Sequence, residues 1–151
     1  MKNAAGVILG YLSMVVVVMV SFTGLYQVLG ADGAFAAGSY DISTTWAVSS
    51  LVLSLVAALV GGFVCARIAG TRAAVTTLAA LVLVLGLLLS IPSFTAGDPL
   101  MAARAGDVGN WEAMQNAIQP AWIAVLTPIL GAIGVMMGGR TSPQPDEILP
   151  L

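Results

Sequence analysis

Residues 73–91 read AAVTTLAALVLVLGLLLSI: nineteen positions, of which eleven are Val, Leu or Ile and none is charged. At about −0.3 to −0.6 kcal/mol per large aliphatic residue on a membrane-insertion scale, those side chains contribute about −3 to −7 kcal/mol, with no charge to oppose them. A run of ~20 residues rising ~1.5 Å each crosses a hydrocarbon layer ~30 Å thick. The stretch is expected to lie in a bilayer as helix, because a backbone in oil must pair its own N–H and C=O groups. No period-2 pattern of the kind a barrel needs occurs in the chain.

The same reading extends outward from this stretch. Uncharged runs of 29, 25, 25 and 27 residues separate Lys2 from Asp32, Asp41 from Arg67, Arg72 from Asp98 and Glu112 from Arg140. These gaps predict transmembrane helices near 7–29, 46–68, 73–91 and 121–138. The β-branched run at 15–18 lowers helix propensity by tenths of a kcal/mol per residue, far less than the penalty for unpaired backbone in lipid. The expected fold is all-α: a polytopic four-transmembrane-helix antiparallel bundle over 1–140, up and down in sequence order, with a short helical outer loop. A flexible cytoplasmic tail at 141–151 follows, where Pro143, Pro145 and Pro150 prevent helix.

Composition supports this. Only 8% of the 151 residues are charged and 59% are hydrophobic, against about 25% charged in soluble proteins. A soluble domain this small has too little interior to hide so much apolar surface. A disordered chain, a nucleic-acid binder and an ordinary cytosolic enzyme are excluded, and the partner implied is the lipid bilayer.

Charge sets the expected orientation. With Lys2, the Arg67–Arg72 turn and Arg140 on one side, four of the five basic residues lie together and only Arg104 falls opposite. The positive-inside rule then places both termini in the cytoplasm. Trp46, Trp111 and Trp122, with Tyr26 and Tyr40, fall near the other boundary, as an interfacial aromatic belt would. Ala34-Phe35-Ala36 has the form of a signal-cleavage site, but the preceding apolar run is about twice the usual ~7–15 residues, which favours a retained anchor.

The connections carry less information. The first outer loop, 30–45, is rich in Gly, Ala and Ser and is expected to be a modest polar link with little chemistry. The second, 92–119, exceeds the ~12–15 residues usual for unstructured connections and should hold structure of its own. Asp98-Pro99 predicts one short helix, through Arg104. Asn110 is expected to cap another, with Trp111, Met114 and Ile118 as an apolar stripe covering the outer end of the bundle.

Within the second span, Ser50, Ser54, Ala58, Gly62, Ala66 and Gly70 recur at i+4, beside a second row of Ala57, Gly61, Cys65 and Ala69. Gly6/Gly10 and Gly134/Gly138 repeat the spacing in the first and fourth spans. Small residues on one face let helix backbones approach closely. The candidate packing face is therefore Ser54, Ala58, Gly62, Ala66, Gly70, Gly134 and Gly138. It serves either neighbouring helices of one molecule, the reading preferred, or a seam in a homo-oligomer or larger membrane complex. Pro128 is expected to bend the fourth span. Ser13, Ser21, Thr23 and Gln27 are read mainly as helix–helix hydrogen bonds, worth about 0.6 kcal/mol each.

Absent residue types bear on chemistry. The chain has no His and a single Cys, so a Ser–His nucleophile, a His-containing metal site and a paired-Cys redox centre are all ruled out. Apart from Arg67 at the inner edge of the second, no charged residue falls inside a predicted span, so the usual proton relay is missing. Neither catalytic residues nor a cofactor or metal site is expected.

The series Trp46…Gly61-Gly62-Phe63-Val64…Ala66, then a short basic turn and another apolar span, resembles small uncharacterised bacterial four-helix membrane proteins. Their second helix ends in Gly-Gly-Phe/Tyr-hydrophobic-Ala. The resemblance covers about the second and third spans and implies a bacterial inner membrane without supplying an activity. Small multidrug-resistance transporters need a membrane-embedded Glu in the first helix, which this chain lacks, and quinone-linked disulfide enzymes need paired Cys. The expected role is a non-catalytic membrane component, accessory or interacting. The alternative is a small transporter or channel subunit, with the polar groups of the first span and the bend at Pro128 lining a path. A third reading, a lipid-modifying enzyme using Asp98, Asp107 and Glu112, rests on isolated loop carboxylates of the kind that are usually just solvated.

Overall fold

The computed structural model describes residues 1–95 and 106–141. The order is α1 (Lys2–Ala34), α2 (Thr44–Ala69), α3 (Arg72–Ser90), the single turn α4 (Pro92–Thr95), α5 (Asn110–Asn116) and α6 (Ala121–Arg140). Four helical stretches, with α3 running on into α4, are long and apolar enough to cross a membrane. Every long helix leaves large apolar side chains uncovered, among them Val16 (60% exposed), Val52 (56%), Leu88 (56%) and Met137 (50%). The helix expected between Asp98 and Arg104 and the tail after Thr141 lie outside the described residues.

Apolar length marks the expected spans, but the helices do not stop where those spans do. α1 runs past 29 to Ala34, interrupted by non-helical backbone at Gly30 (φ 64°, ψ −179°), a conformation open to glycine at little cost. The α2–α3 turn is as short as expected. Gly70 ends α2 in the left-handed region (φ 67°) and sends its N–H to the Ala66 carbonyl, and Thr71 then caps α3 by accepting from the Ala74 N–H. At the other end of α2, Ser43 accepts the Trp46 N–H at 3.1 Å.

Direction alternates along the chain, but the packing order differs from the sequence order. α1 lies along α2, α2 along α6 and α6 along α3, whereas α2 and α3, joined by the shortest turn, touch far less. Ile42 donates to the Ile118 carbonyl at 3.2 Å and Ile118 donates to that of Tyr40 at 2.9 Å. The strand-like residues before α2 and α6 thus sit side by side, and the two helices leave them in the same direction. Lys2, Arg67, Arg72 and Arg140 gather at one end of the bundle, the basic end. Trp46 and Trp122 open α2 and α6 at the opposite, aromatic end.

Two seams of small residues explain this order. A methyl group built on Gly6 would lie 2.7 Å from the Ala69 Cβ, and one on Gly10 would lie 2.8 Å from the Gly61 carbonyl oxygen. One row of α2 therefore receives α1. The adjacent row receives α6: Gly62 is pressed against the Val135 backbone, Gly138 against that of Leu59, and a methyl on Gly134 would stand 2.7 Å from the Ala58 Cβ. Where the seams meet, Ala58, Cys65, Leu78 and Val135 are fully buried. Close backbone approach gains dispersion contacts that larger side chains would forbid.

The aromatic end departs from expectation. Residues 30–45 form a second core and not merely a polar link: Ala31, Ala34, Phe35 and Tyr40 bury themselves with Tyr26 and with Ala113 of α5. The rings meet edge to face, with centroids 5.6 Å apart for Phe35–Tyr40 and 6.5 Å for Tyr26–Phe35. α5 hangs on this cluster through Tyr26 Oη donating to the Val108 carbonyl at 2.6 Å and Tyr40 Oη donating to Glu112 Oε1 at 2.8 Å. The expected stripe on α5 is not its packing face. Gly109, not Asn110, occupies the cap position. Trp111 and Met114 point outward, Ala113 points in, and Ile118 lies beyond the helix end. Docking onto an aromatic cluster from another part of the chain decided that face.

Candidate functional site

The candidate packing residues serve three purposes. Ala58, Gly62, Gly134 and Gly138 form the α2–α6 crossing, Ala66 belongs to the buried core, and Gly70 is the α2 terminator. Ser54 does none of these; it faces a cleft. Where α2 and α6 approach too closely to admit any side chain, nothing is left for a ligand. The cleft is the place where one can enter.

The cleft follows from the ring of helices. α1 and α3 should close the ring, but their contact is slight and includes Gly10 against Leu78 toward the basic end. Toward the aromatic end they leave a cavity of about 520 Å³, within the ~300–1,000 Å³ range of small-molecule sites. Its rim carries exposed Val15 and Met19 of α1 and Leu85 and Leu89 of α3, so it opens sideways between these helices. Its floor is α2, with Ser50 and Ser54, and α6, with Thr127 and Pro128.

The α3–α6 register fixes depth along the cleft. Gly86 faces Pro128, a methyl on Gly131 would lie 3.0 Å from Val82, and one on Gly139 would lie 2.5 Å from Val75. Ser90, Ser93 and Gln119 therefore stand at the mouth nearest the aromatic end. Ser50, Thr127 and Ser54 stand deeper, and Tyr11, Met14 and Val82 mark the bottom. None of the lining residues is charged. Below the bottom, Leu78 and Val135 are fully buried, so packed side chains close the cleft toward the basic end.

Hydroxyl hydrogens along the cleft are largely committed to the helices. Ser50 donates to the Ala47 carbonyl at 2.9 Å, Ser90 to Leu87 at 2.7 Å and Thr127 to Ile123 at 2.8 Å. Each oxygen keeps acceptor lone pairs. Thr127 does not reach the Ala124 carbonyl, which Pro128 deprives of its helical donor. The side chains of Ser54, Ser93 and Gln119 make no hydrogen bond among the described residues.

The polar residues singled out in α1 stand elsewhere. Ser13 donates to the Gly10 carbonyl of its own helix at 2.8 Å, and Thr23 receives Asn110 Nδ2 at 3.4 Å. None of Ser13, Ser21, Thr23 and Gln27 lines the cleft. Asp107 and Glu112 are exposed at the aromatic end, and Asp98 lies outside the described residues. Among the described residues, no group of three His, Cys, Asp or Glu could hold a metal ion. The polar lining comes from α2, α3, α4, the segment before α6 and α6 itself, so no local spacing could announce it. Comparison with protein-family models, curated proteins and solved structures finds no match.

Proposed function

We propose that the chain is a non-catalytic, multi-pass protein of a bacterial inner membrane that serves as an accessory or interaction component. In this reading the basic end and both termini face the cytoplasm. The observation that carries it is the uncovered apolar surface on all four long helices, combined with close-packed seams that use up the small-residue faces inside one molecule. Such a body is stable in lipid and offers a broad flank to other membrane helices. The neutral spans contain no charged residue of the kind that carries protons or ions across a bilayer.

Extraction of the tagged protein from native membranes in a mild detergent tests the role. A stoichiometric second membrane polypeptide, retained through size-exclusion chromatography, is the expected result. Recovery of this chain alone from membranes of several growth conditions would overturn it.

A further inference from the structure

We propose that the cleft between α1 and α3 is a binding site for a single-chain amphiphile with an uncharged, hydroxyl-bearing head, of which a monoacylglycerol is the simplest representative. The proposal rests on the bilayer placement given above and is independent of the accessory role.

Polarity gives the ligand its direction. Ser90, Ser93 and Gln119 surround the mouth, while the Tyr11 ring with Met14 and Val82 marks the bottom and Val15, Val18 and Leu85 face the length between. A head at the aromatic end with a chain reaching toward the basic end matches this gradient. Hydrogen bonding defines the head. Ser50, Ser90 and Thr127 have given their hydrogens to helix carbonyls and can only accept. They therefore call for a ligand that donates. Ser54, half-buried and deeper than the mouth, has no side-chain partner among the described residues and has a hydrogen to give, so the same ligand must also accept, at the ester below its hydroxyls. A hydroxyl does both, whereas a carboxylate offers no donor to the Ser50, Ser90 and Thr127 oxygens. No charged side chain lines the cavity, so an ionised head drawn into it would lose its water without a counter-charge.

The shape of the cleft suits a single chain. The α1 wall from Tyr11 to Phe22 spans roughly 16 Å at ~1.5 Å per residue. An extended hydrocarbon chain can lie along that length. Entry is sideways, past Met19 and Leu89, so the chain need never cross water.

The experiment uses the full chain in phosphatidylcholine nanodiscs with palmitoyl glycerol carrying a diazirine on its acyl chain. After photolysis, peptide mass spectrometry should place adducts on cleft residues such as Val18, Phe22 and Leu89. Unlabelled palmitoyl glycerol should compete about tenfold better than palmitate, the loss expected when a buried polar contact is left unmade. Val18→Phe and Ala124→Phe, which fill the cleft, should each remove most labelling. Val20→Phe, on the lipid face of α1, should label as the wild type does. Ser54→Ala should label with a several-fold smaller preference for the glycerol head, a readout that mere loss of packing would not give. Circular dichroism and elution volume confirm that each variant is folded. Adducts spread evenly over Leu12, Val16, Ile133 and Met137, equal competition by palmitate, or full labelling of folded Val18→Phe would each overturn the proposal.

Discussion

Gly62 and Gly24 occupy the same kind of helix in opposite circumstances. A methyl on Gly62 would strike the Val135 backbone, which cannot move aside without shifting α6, while a methyl on Gly24 meets nothing within 4 Å. Gly62→Ile should therefore destabilise the fold by about 1–3 kcal/mol or more, as overpacking does. Gly24→Ala should stabilise it by about 0.5–1 kcal/mol through helix propensity alone. Thermal melting in one detergent, read as a lowered and a raised midpoint respectively, checks both signs. The spacing of Gly62 with Ala58 and Ala66 was visible in the sequence because helical periodicity is local. That Gly61 beside it serves a different neighbour was not, since both rows are small and either could have met either helix. Ser54 sits in the same row as Gly62 yet borders the cleft.

At the scale of the element, α5 shows how a seven-residue helix holds its place. So short a helix is unstable alone, and its position depends on Tyr26, Tyr40 and the ring cluster beneath. Replacing both tyrosines with Phe keeps the rings and deletes the two hydroxyl bonds, to Val108 and to Glu112. At about 1 kcal/mol for each bond, α5 amides should exchange with solvent roughly 30-fold faster. The protected amides of α2 and α6 should be unchanged, as hydrogen-exchange mass spectrometry would report. The long helices were legible because widely separated charges bracket neutral runs. The cap was not, because Tyr26 and Tyr40 meet partners 82 and 72 residues away, and a Gly/Ala/Ser-rich stretch hides one Phe and one Tyr that matter. The order of helices around the ring was hidden for a related reason: each helix is apolar on every side, so no polar face says which flank turns outward.

For the whole molecule, the two ends differ in chemistry and the proposed orientation follows from that difference. In intact cells an impermeant maleimide should label Asp107→Cys, at the aromatic end, and should label Asn3→Cys, at the basic end, only after lysis. Buried Cys65 supplies a low background. The reverse pattern would turn the molecule over while leaving its packing intact.

The gap between α1 and α3 also decides how occupancy of the cleft is counted. A site reached from the flank of the bundle samples molecules dissolved in the surrounding leaflet, so its filling tracks their mole fraction among lipids rather than their trace concentration in the cytosol or medium. Modest intrinsic affinity then suffices for a sparingly water-soluble compound, because the bilayer has already gathered it. Titrations expressed per volume of buffer would shift with the amount of lipid present, and those expressed per lipid would superimpose.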